Sequence, residues 1–332
     1  MADSTSGPVV QYVELGNSGL EVSRLALGLG FRGQSSESAA QRLIEHALAS
    51  GINFIDCANK YRLRTGAPDE HGSSEEILGR VLANHRDELI ITTKVGAEIG
   101  LGLDGGGCTR DNILSQAEHS LRRLGTETID LYLLHVFDEL TPLDETLRAM
   151  DDLVSSGKAR SIGCCNYQAW QVCKALWTCE RMGAAGPVCV QNHYSLLNRQ
   201  LEREMFPLLQ DQSLGMMAYS PLAVGLLSGH YTSGSAPPAG SLWEQRRAEY
   251  DALLQGAAAR VLETTQRTAQ QRGVTMPQLA LNWVLAHPEV SVAISGSDTI
   301  AQLDENLGAL EWQLTPEEMA DLDQPRVELT IW

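Results

Sequence analysis

Two apolar stretches, Leu89-Ile-Ile-Thr-Thr-Lys94 and Ile129-Asp-Leu-Tyr-Leu-Leu-His135, enclose a helical pattern that opens at Thr109 and ends at Gly125. Both stretches are continuous rather than alternating, which is typical of parallel strands buried on both faces. Threonine is a favoured residue at a helix start, and glycine is favoured just past a helix end. The region therefore predicts a strand at Leu89–Thr93, a helix, and a second, parallel strand at Ile129–Leu134.

The same alternation of apolar runs and helical patterns continues along the chain. Six further runs predict strands: Leu25–Leu29, Phe54–Cys57, Ala159–Cys165, Val188–Gln191, Leu214–Tyr219 and Val290–Ile294. Helical patterns follow the runs, at Glu37–Ser50, Ser73–Asn84, Pro142–Gly157, Tyr167–Met182, Gln200–Gln212, Met276–Ala286 and Thr299–Leu310. Eight successive β-then-α units predict an α/β fold, the closed parallel (β/α)8 or TIM barrel.

The remaining segments are assigned around this barrel, and we predict one domain over residues 1–332. Gln11–Leu15 and Leu20–Ser23 flank Gly16-Asn-Ser-Gly19, which predicts an N-terminal β-hairpin. The small, polar residues 1–10 predict a flexible tail, and we expect no secretory signal there. Residues 221–275 form a long connection after the seventh strand, of the kind that serves as a lid or binding segment.

Composition limits the classes of partner. The formal net charge is -17, which disfavours binding to nucleic acid and to anionic membrane surfaces. No stretch is long and apolar enough to predict a membrane span. The seven cysteines form no C-x-x-C pair, and an odd count without a signal predicts reduced thiols in the cytoplasm.

A competing motif predicts a different fold. Gly28-Leu-Gly-Phe-Arg-Gly33 matches the G-x-G-x-x-G pattern of dinucleotide-binding Rossmann units, and Asp56 lies where the ribose-binding acid would stand. Two features weigh against this interpretation. Gln34-Ser-Ser36 separates the third glycine from the helical pattern, and eight β–α units exceed one six-stranded sheet.

Four polar residues follow consecutive predicted strands. Asp56, Lys94 and His135 end the second, third and fourth barrel strands, and Tyr61 follows Asp56 closely. Catalytic side chains of such barrels project from the carboxyl ends of the strands. A tyrosine can protonate a carbonyl oxygen, and we expect a nearby Lys94 ammonium to lower its pKa. Asp56 would pair with the lysine and His135 would orient the oxygen.

These residues carry a family resemblance. In order and context they match the catalytic tetrad of the aldo-keto reductases, which the chain resembles over nearly its full length. Ile52-Asn-Phe-Ile-Asp56, Gln191-Asn192 and Tyr219-Ser-Pro-Leu222 resemble signatures of that family. Tyr219-Ser-Pro-Leu-Ala223 and Glu305-Asn-Leu-Gly-Ala309 resemble its potassium-channel β-subunit-like and bacterial branch.

The resemblance implies a nicotinamide cofactor stretched across the barrel rim. Asn166 and Gln191 would hold its carboxamide, and Tyr219 would stack under its ring. The resemblance places Ser220, Leu222 and Gly225 along the pyrophosphate, and Gly296, Ser297, Asp298, Gln302, Glu305 and Asn306 around the adenosine. Capping of the final helix is an alternative role for this last group. Cys165 stands where the family usually has serine.

The resemblance also bears on cofactor and substrate. We predict NADP(H) over NAD(H), although a carboxylate at Asp298 would repel a ribose 2′-phosphate. Phe31, Arg32 and Phe137 would contact the substrate, a small-molecule carbonyl compound, sugar or alcohol. We predict an NAD(P)H-dependent oxidoreductase, monomeric or homo-oligomeric, with Tyr61 as general acid and without a metal. The alternative is a catalytically slow, redox-sensing regulatory subunit that binds the cofactor.

Overall fold

The computed structural model describes residues 10–31, 33–63, 72–99, 106–231, 236–239, 241–324 and 327. Arg32 and most of the predicted tail lie outside these residues. Within them, eight parallel strands close into a barrel, and a separate antiparallel hairpin precedes it. The predicted (β/α)8 architecture is confirmed.

The hairpin consists of β1 (Tyr12–Glu14) and β2 (Glu21–Ser23). The barrel strands follow in chain order and pair as neighbours, and the last strand closes on the first. They are β3 (Leu25–Gly28), β4 (Phe54–Asp56), β5 (Ile90–Val95), β6 (Ile129–Leu134), β7 (Ala159–Cys165), β8 (Cys189–His193), β9 (Gly215–Tyr219) and β10 (Val292–Ser295).

Helices follow the barrel strands and cover their outer faces. They are α1 (Glu37–Ala49), α2 (Ser73–His85), α3 (Arg110–Leu124), α4 (Leu143–Ser155), α5 (Ala169–Met182), α6 (Leu201–Gln212), α7 (Leu242–Gln245), α8 (Arg247–Leu253), α9 (Ala257–Arg272), α10 (Met276–Ala286), α11 (Ile300–Leu307) and α12 (Pro316–Leu322). One apolar cluster fills the barrel interior, and a larger one lies mainly between strands and helices. The described helices include none that is both long and apolar enough to cross a membrane.

The predicted caps hold for α3 and fail for α2. Thr109 accepts a hydrogen bond from the backbone of Asn112, and Gly125 ends α3 at a φ of 64°. Ser73-Ser-Glu-Glu76 is a capping pattern that predicts serine capping at the start of α2, and this was wrong: its N-cap is Gly72, at a φ of 83°. The Ser73 hydroxyl instead accepts a hydrogen bond from the Leu63 backbone, so the loop before the helix uses it.

The Rossmann interpretation is excluded by the barrel. Gly28 lies in β3, and a Cβ atom there would come within 2.8 Å of the Ile294 side chain of β10. Barrel closure therefore requires this glycine. Gly33 lies in the loop before α1. Because α1 begins only at Glu37, this glycine is not part of the helix, as the third glycine of a Rossmann turn would be.

The long connection after β9 is largely helical. A short 3₁₀ helix, Ala223–Ser228, precedes α7, α8 and α9. Trp243 and Tyr250 are buried, and the Trp243 indole donates to the Val224 carbonyl oxygen at 3.1 Å. The hydrogen bond holds α7 against the 3₁₀ helix at the start of the connection.

Candidate active site

The structure brings together the four polar residues that follow the second, third and fourth barrel strands. Asp56 ends β4, Lys94 lies near the end of β5, and His135 directly follows β6. Tyr61 reaches the same rim from the loop after β4. The Lys94 Nζ atom lies 2.8 Å from Asp56 Oδ2 and 3.3 Å from the Tyr61 hydroxyl. The Tyr61 and His135 rings meet edge to face, with centroids 5.9 Å apart.

Lys94 is the centre of this group. Its side chain is 0% exposed, and its third hydrogen bond goes to the Cys57 carbonyl oxygen at 2.7 Å. Three partners use all the donors of one ammonium group. Burial opposes the charge, but Asp56 and Tyr61 outweigh it and raise the pKa of Lys94 above its ordinary value. Lys94 is therefore a fixed positive charge.

The balance at Tyr61 differs from the sequence-based expectation. Burial raises the pKa of Tyr61, Lys94 lowers it, and the net result is a pKa of about 12. The Lys94 ammonium also lies 4.6 Å from the centre of the Tyr61 ring. Lys94 acts in the expected direction, but desolvation of the phenolate outweighs the attraction of the ammonium, so the net pKa is raised. Tyr61 is a protonated phenol throughout the neutral range.

His135 is a neutral imidazole. Burial, Lys94 and Lys60 together lower the pKa of His135 to about 2. Its Nδ1 atom is buried and has no hydrogen-bond partner among the described residues. A neutral imidazole can donate one hydrogen bond to an oxygen placed beside Tyr61. The rim thus combines a phenol donor and an imidazole beside one ammonium charge.

Asn166 and Tyr219 form a second group beside the first. Asn166 has a φ of 59°, a conformation that asparagine tolerates better than most residues. Its amide nitrogen donates to the His135 carbonyl oxygen at 2.9 Å, and its amide oxygen accepts from the Tyr219 hydroxyl at 2.8 Å. One face of the Tyr219 ring stacks on His193, with centroids 5.5 Å apart. The Tyr219 ring is thereby held at its edge and on one face.

Sequence reasoning missed His193. We ended the predicted strand at Gln191, whereas β8 continues to His193. Had the strand been extended by two residues, His193 would have been expected at the rim with the other strand-end residues. It is buried, and its Nδ1 atom lies 2.9 Å from the Asn198 amide nitrogen.

Gln191 is directed inward. Its amide nitrogen lies 2.7 Å from Asp56 Oδ1, and its amide oxygen accepts a hydrogen bond from the Cys165 thiol at 3.6 Å. From the resemblance we assigned Gln191 to the carboxamide of a cofactor. Its contact with Asp56 was not predicted, because the two residues are 135 positions apart.

The residues assigned to the pyrophosphate lie in a compact turn after β9. Ser220 and Gly225 have positive φ angles of 51° and 90°. The Gly225 backbone N–H donates to the Leu222 carbonyl oxygen at 3.0 Å, which closes the turn. The turn places these three residues next to Tyr219.

The residues assigned to the adenosine end gather where β10 meets α11. The hydroxyls of Ser295 and Ser297 lie 2.8 Å apart, and the buried Asn306 amide nitrogen donates to both. Gly296 lies between the two serines and is exposed. The Glu305 carbonyl oxygen accepts a hydrogen bond from the Gln278 side chain at 3.0 Å. The serine–asparagine cluster orders the loop that leads into α11.

Asp298 connects this loop to the one after β3. A Cβ atom at Gly33 would lie 2.7 Å from Asp298 Oδ2, so the carboxylate is turned toward that loop. The Gln34 amide donates to the Asp298 carbonyl oxygen at 3.0 Å, and the Gln302 side chain accepts from the Asp298 backbone N–H at 2.8 Å. Thr299 caps α11. The residues assigned to the adenosine end therefore do take part in capping α11. The Asp298 carboxylate is not used in this cap and lies toward the loop after β3.

The residues assigned to the substrate are placed differently from one another. Phe31 is only 3% exposed and packs in the core at a φ of 43°. Phe137 is half-buried, two residues beyond His135, and meets Tyr167 and Trp170 edge to face. Arg32 lies outside the described residues. Of the two described residues in this set, Phe137 therefore has the more accessible side chain.

The site fits a nicotinamide cofactor. Tyr219 offers a supported aromatic face, and the Asn166 amide beside it has hydrogen-bonding capacity beyond the bonds it makes. The Gln191 amide lies deeper, against Asp56. Within the described ranges, no group of three histidine, cysteine or carboxylate side chains lies close enough to hold a metal ion.

Comparison with known proteins assigns the family. A sequence model of the aldo/keto reductase family matches residues 24–326. An L-glyceraldehyde 3-phosphate reductase of Escherichia coli is 34% identical, over 97% of this chain and 95% of its own length. An uncharacterized oxidoreductase of Bacillus subtilis is 35% identical, over 93% of each chain. A probable voltage-gated potassium channel β subunit of Arabidopsis thaliana is 31% identical, over 91% of this chain and 92% of its own. The chain therefore belongs to the aldo/keto reductase family.

Proposed function

We propose that this protein is an NAD(P)H-dependent carbonyl reductase in which Tyr61 donates the proton. The observation that carries the proposal is the contact between Lys94 and Tyr61, 3.3 Å apart, beside the neutral ring of His135. The reduced nicotinamide, when bound, supplies hydride to the carbonyl carbon. The residues of this chain bind both reactants and deliver the proton.

Each residue of the site has a separate role in this proposal. The Tyr61 hydroxyl gives its proton to the substrate oxygen, and the resulting phenolate is stabilised by Lys94. His135, which is neutral, donates a hydrogen bond to the same oxygen and directs it toward Tyr61. Asp56 keeps the lysine in place. Asn166 and Gln191 bind the carboxamide, and Tyr219 supports the nicotinamide ring.

The protonation state of Tyr61 favours reduction. With a pKa of about 12, Tyr61 carries its proton at neutral pH and is ready to act as an acid. Oxidation of an alcohol requires the phenolate form, which is scarce at that pH. We therefore propose carbonyl reduction as the physiological direction. From the family resemblance, we also propose that NADP(H) is preferred over NAD(H).

The substrate class follows from the rim. Lys60 and Arg62 flank Tyr61 in a chain whose net charge is -17, and Lys60 acts electrostatically on His135. Cations at this position suit aldehydes, ketones or sugars that carry an anionic group. The Escherichia coli relative is named for reducing a phosphorylated aldehyde, which supports including such compounds in a substrate panel. We place the protein in the cytoplasm, which agrees with its seven free cysteines.

The test is a panel of phosphorylated and neutral carbonyl compounds with each reduced cofactor, monitored by cofactor absorbance. We expect turnover with NADPH, and a loss of roughly two to four orders of magnitude in kcat for Tyr61→Phe, because general acid catalysis contributes about that much. Cofactor affinity of the variant should stay unchanged. A variant with nearly normal kcat would remove Tyr61 from the role of proton donor.

A regulatory subunit is the second candidate function. The Arabidopsis relative, named as a probable channel β subunit, favours it. Such a subunit would bind cofactor at this same site and turn over slowly. Tight cofactor binding with no turnover on any compound of the panel would favour the regulatory role over the reductase.

A further inference from the structure

The barrel interior beneath the rim contains an unbroken chain of hydrogen bonds. The Cys165 thiol donates to the Gln191 amide oxygen at 3.6 Å, and the Gln191 amide nitrogen donates to Asp56 Oδ1 at 2.7 Å. Asp56 Oδ2 then accepts from Lys94, which donates to Tyr61. The three middle residues of this series of hydrogen bonds, Gln191, Asp56 and Lys94, are each at most 3% exposed.

Asp56 needs the donor that Gln191 supplies. A buried carboxylate is stable when both of its oxygens accept hydrogen bonds, and among the described residues Lys94 serves only Oδ2. The amide of Gln191 serves Oδ1. This bond also prevents the carboxylate from rotating, so that Oδ2 stays directed at the ammonium.

Cys165 selects the orientation of the Gln191 amide. The oxygen and nitrogen ends of an amide are nearly the same size, so hydrogen bonds decide which end faces Asp56. A thiol donor on the far side holds the amide oxygen away from the carboxylate. In the reversed orientation, two oxygens would face each other across the gap that the hydrogen bond now fills.

We propose that Gln191, oriented by the Cys165 thiol, is a positioning residue that acts through Asp56 to keep the Lys94 ammonium aligned with the Tyr61 hydroxyl. The inference rests on the proposed function, because the aligned ammonium matters only if Tyr61 transfers the proton. It extends the role of Gln191 beyond contact with a cofactor. Gln191 and Cys165 need not touch the substrate to perform it.

The main variant is Gln191→Met, which keeps the length of the side chain and removes the donor. Without that donor the Asp56 carboxylate can rotate, so the Lys94 ammonium loses its alignment with the Tyr61 hydroxyl and lowers the pKa of Tyr61 less than it does in the wild type. The rise of kcat for alcohol oxidation should therefore move to higher pH, and kcat at a fixed pH should fall about tenfold for each unit by which that pKa rises. The assay follows kcat against pH with NADP+ and 4-nitrobenzyl alcohol as the probe.

A second measurement needs neither cofactor nor turnover. Gln191→Met should lower the thermal midpoint of the cofactor-free protein by less in an Asp56→Asn background than in the wild-type background, because its bonding partner is then no longer charged. A purely structural loss would lower the midpoint equally in both backgrounds. Gln191→Glu, which places a second carboxylate against Asp56, should also reduce kcat and tests the idea if Gln191→Met folds poorly.

Matched controls come from the same interior. Met217, whose sulfur lies 4.0 Å from the Gln191 amide nitrogen, is replaced in Met217→Leu, which should keep the wild-type pH profile. Cys165→Ser keeps a donor to Gln191 and should also resemble the wild type. Cys165→Ala should shift the pH profile toward that of Gln191→Met.

The outcomes separate this inference from the proposed function. If Gln191→Met weakens only cofactor affinity, measured by fluorescence titration, leaves the pH profile of kcat unchanged, and costs the same stability with and without the Asp56 charge, the positioning role is overturned. If Cys165→Ala matches Cys165→Ser, the role of the thiol is overturned. If Tyr61→Phe keeps its kcat, the proposed function itself fails, whatever the Gln191 variants do.

Discussion

Replacing Lys94 by methionine tests the central ion pair most directly. The ammonium makes hydrogen bonds to Asp56 at 2.8 Å, to the Cys57 carbonyl oxygen at 2.7 Å and to Tyr61 at 3.3 Å, and its side chain is fully buried. Lys94→Met removes all three and leaves Asp56 as a buried carboxylate without a compensating charge. Breaking a buried pair in this way costs about 3–5 kcal/mol of unfolding free energy.

Removing both charges should recover most of that loss. A buried pair replaced by neutral groups of similar size is often close to neutral in stability, so the double variant Asp56→Asn with Lys94→Met should lie within about 1–2 kcal/mol of the wild type. The measurement is the free energy of unfolding from urea titrations of the wild type, both single variants and the double variant.

Two results would refute this reasoning. One is a Lys94→Met protein as stable as the wild type at neutral pH. The other is a double variant no more stable than Lys94→Met, which would show that the unpaired carboxylate is not the source of the loss. Catalysis provides a parallel readout, because Lys94 lowers the pKa of Tyr61 and its removal raises that pKa further.

Three further predictions follow from the titrating groups of the rim. Because the pKa of Tyr61 is about 12, kcat for alcohol oxidation should rise about tenfold per pH unit between about pH 7 and 10, while kcat for carbonyl reduction should change little. A plateau of the oxidation rate near neutral pH would contradict this. The pKa of His135 is lowered to about 2, so below about pH 6.5 the unfolded state binds a proton that the folded state does not bind. The free energy of unfolding should therefore decrease by up to about 1.4 kcal/mol for each unit by which the pH is lowered, and urea titrations of His135→Gln should lack this dependence. Asp298→Ser should tighten NADPH relative to NADH by roughly ten- to thirtyfold, an electrostatic effect of about 1–2 kcal/mol that salt should reduce; an unchanged affinity ratio in fluorescence titrations would show that the carboxylate lies away from the ribose.

Several features of the fold were predictable because their causes are local. The runs that became β6 and β7 kept their predicted bounds, since a strand buried on both faces is mostly apolar; the charged exceptions, Asp130 and Arg160, pair with each other. The start and end of α3 were predictable from Thr109 and Gly125. The cap of α2 was not, because the hydroxyl of Ser73 is claimed by Leu63, a contact that depends on the path of the preceding loop.

The order of the β–α units could be predicted from the chain alone, and so could the position of Asp56, Lys94 and His135 at the ends of neighbouring strands. Parallel strands in a barrel align their carboxyl ends, so position in the chain is enough to predict a shared rim. The folded barrel was needed to show that burial outweighs Lys94 at Tyr61, and that Gln191 donates to Asp56. Desolvation and hydrogen bonding depend on distances through space, and residues 135 positions apart meet at 2.7 Å only once the barrel has closed.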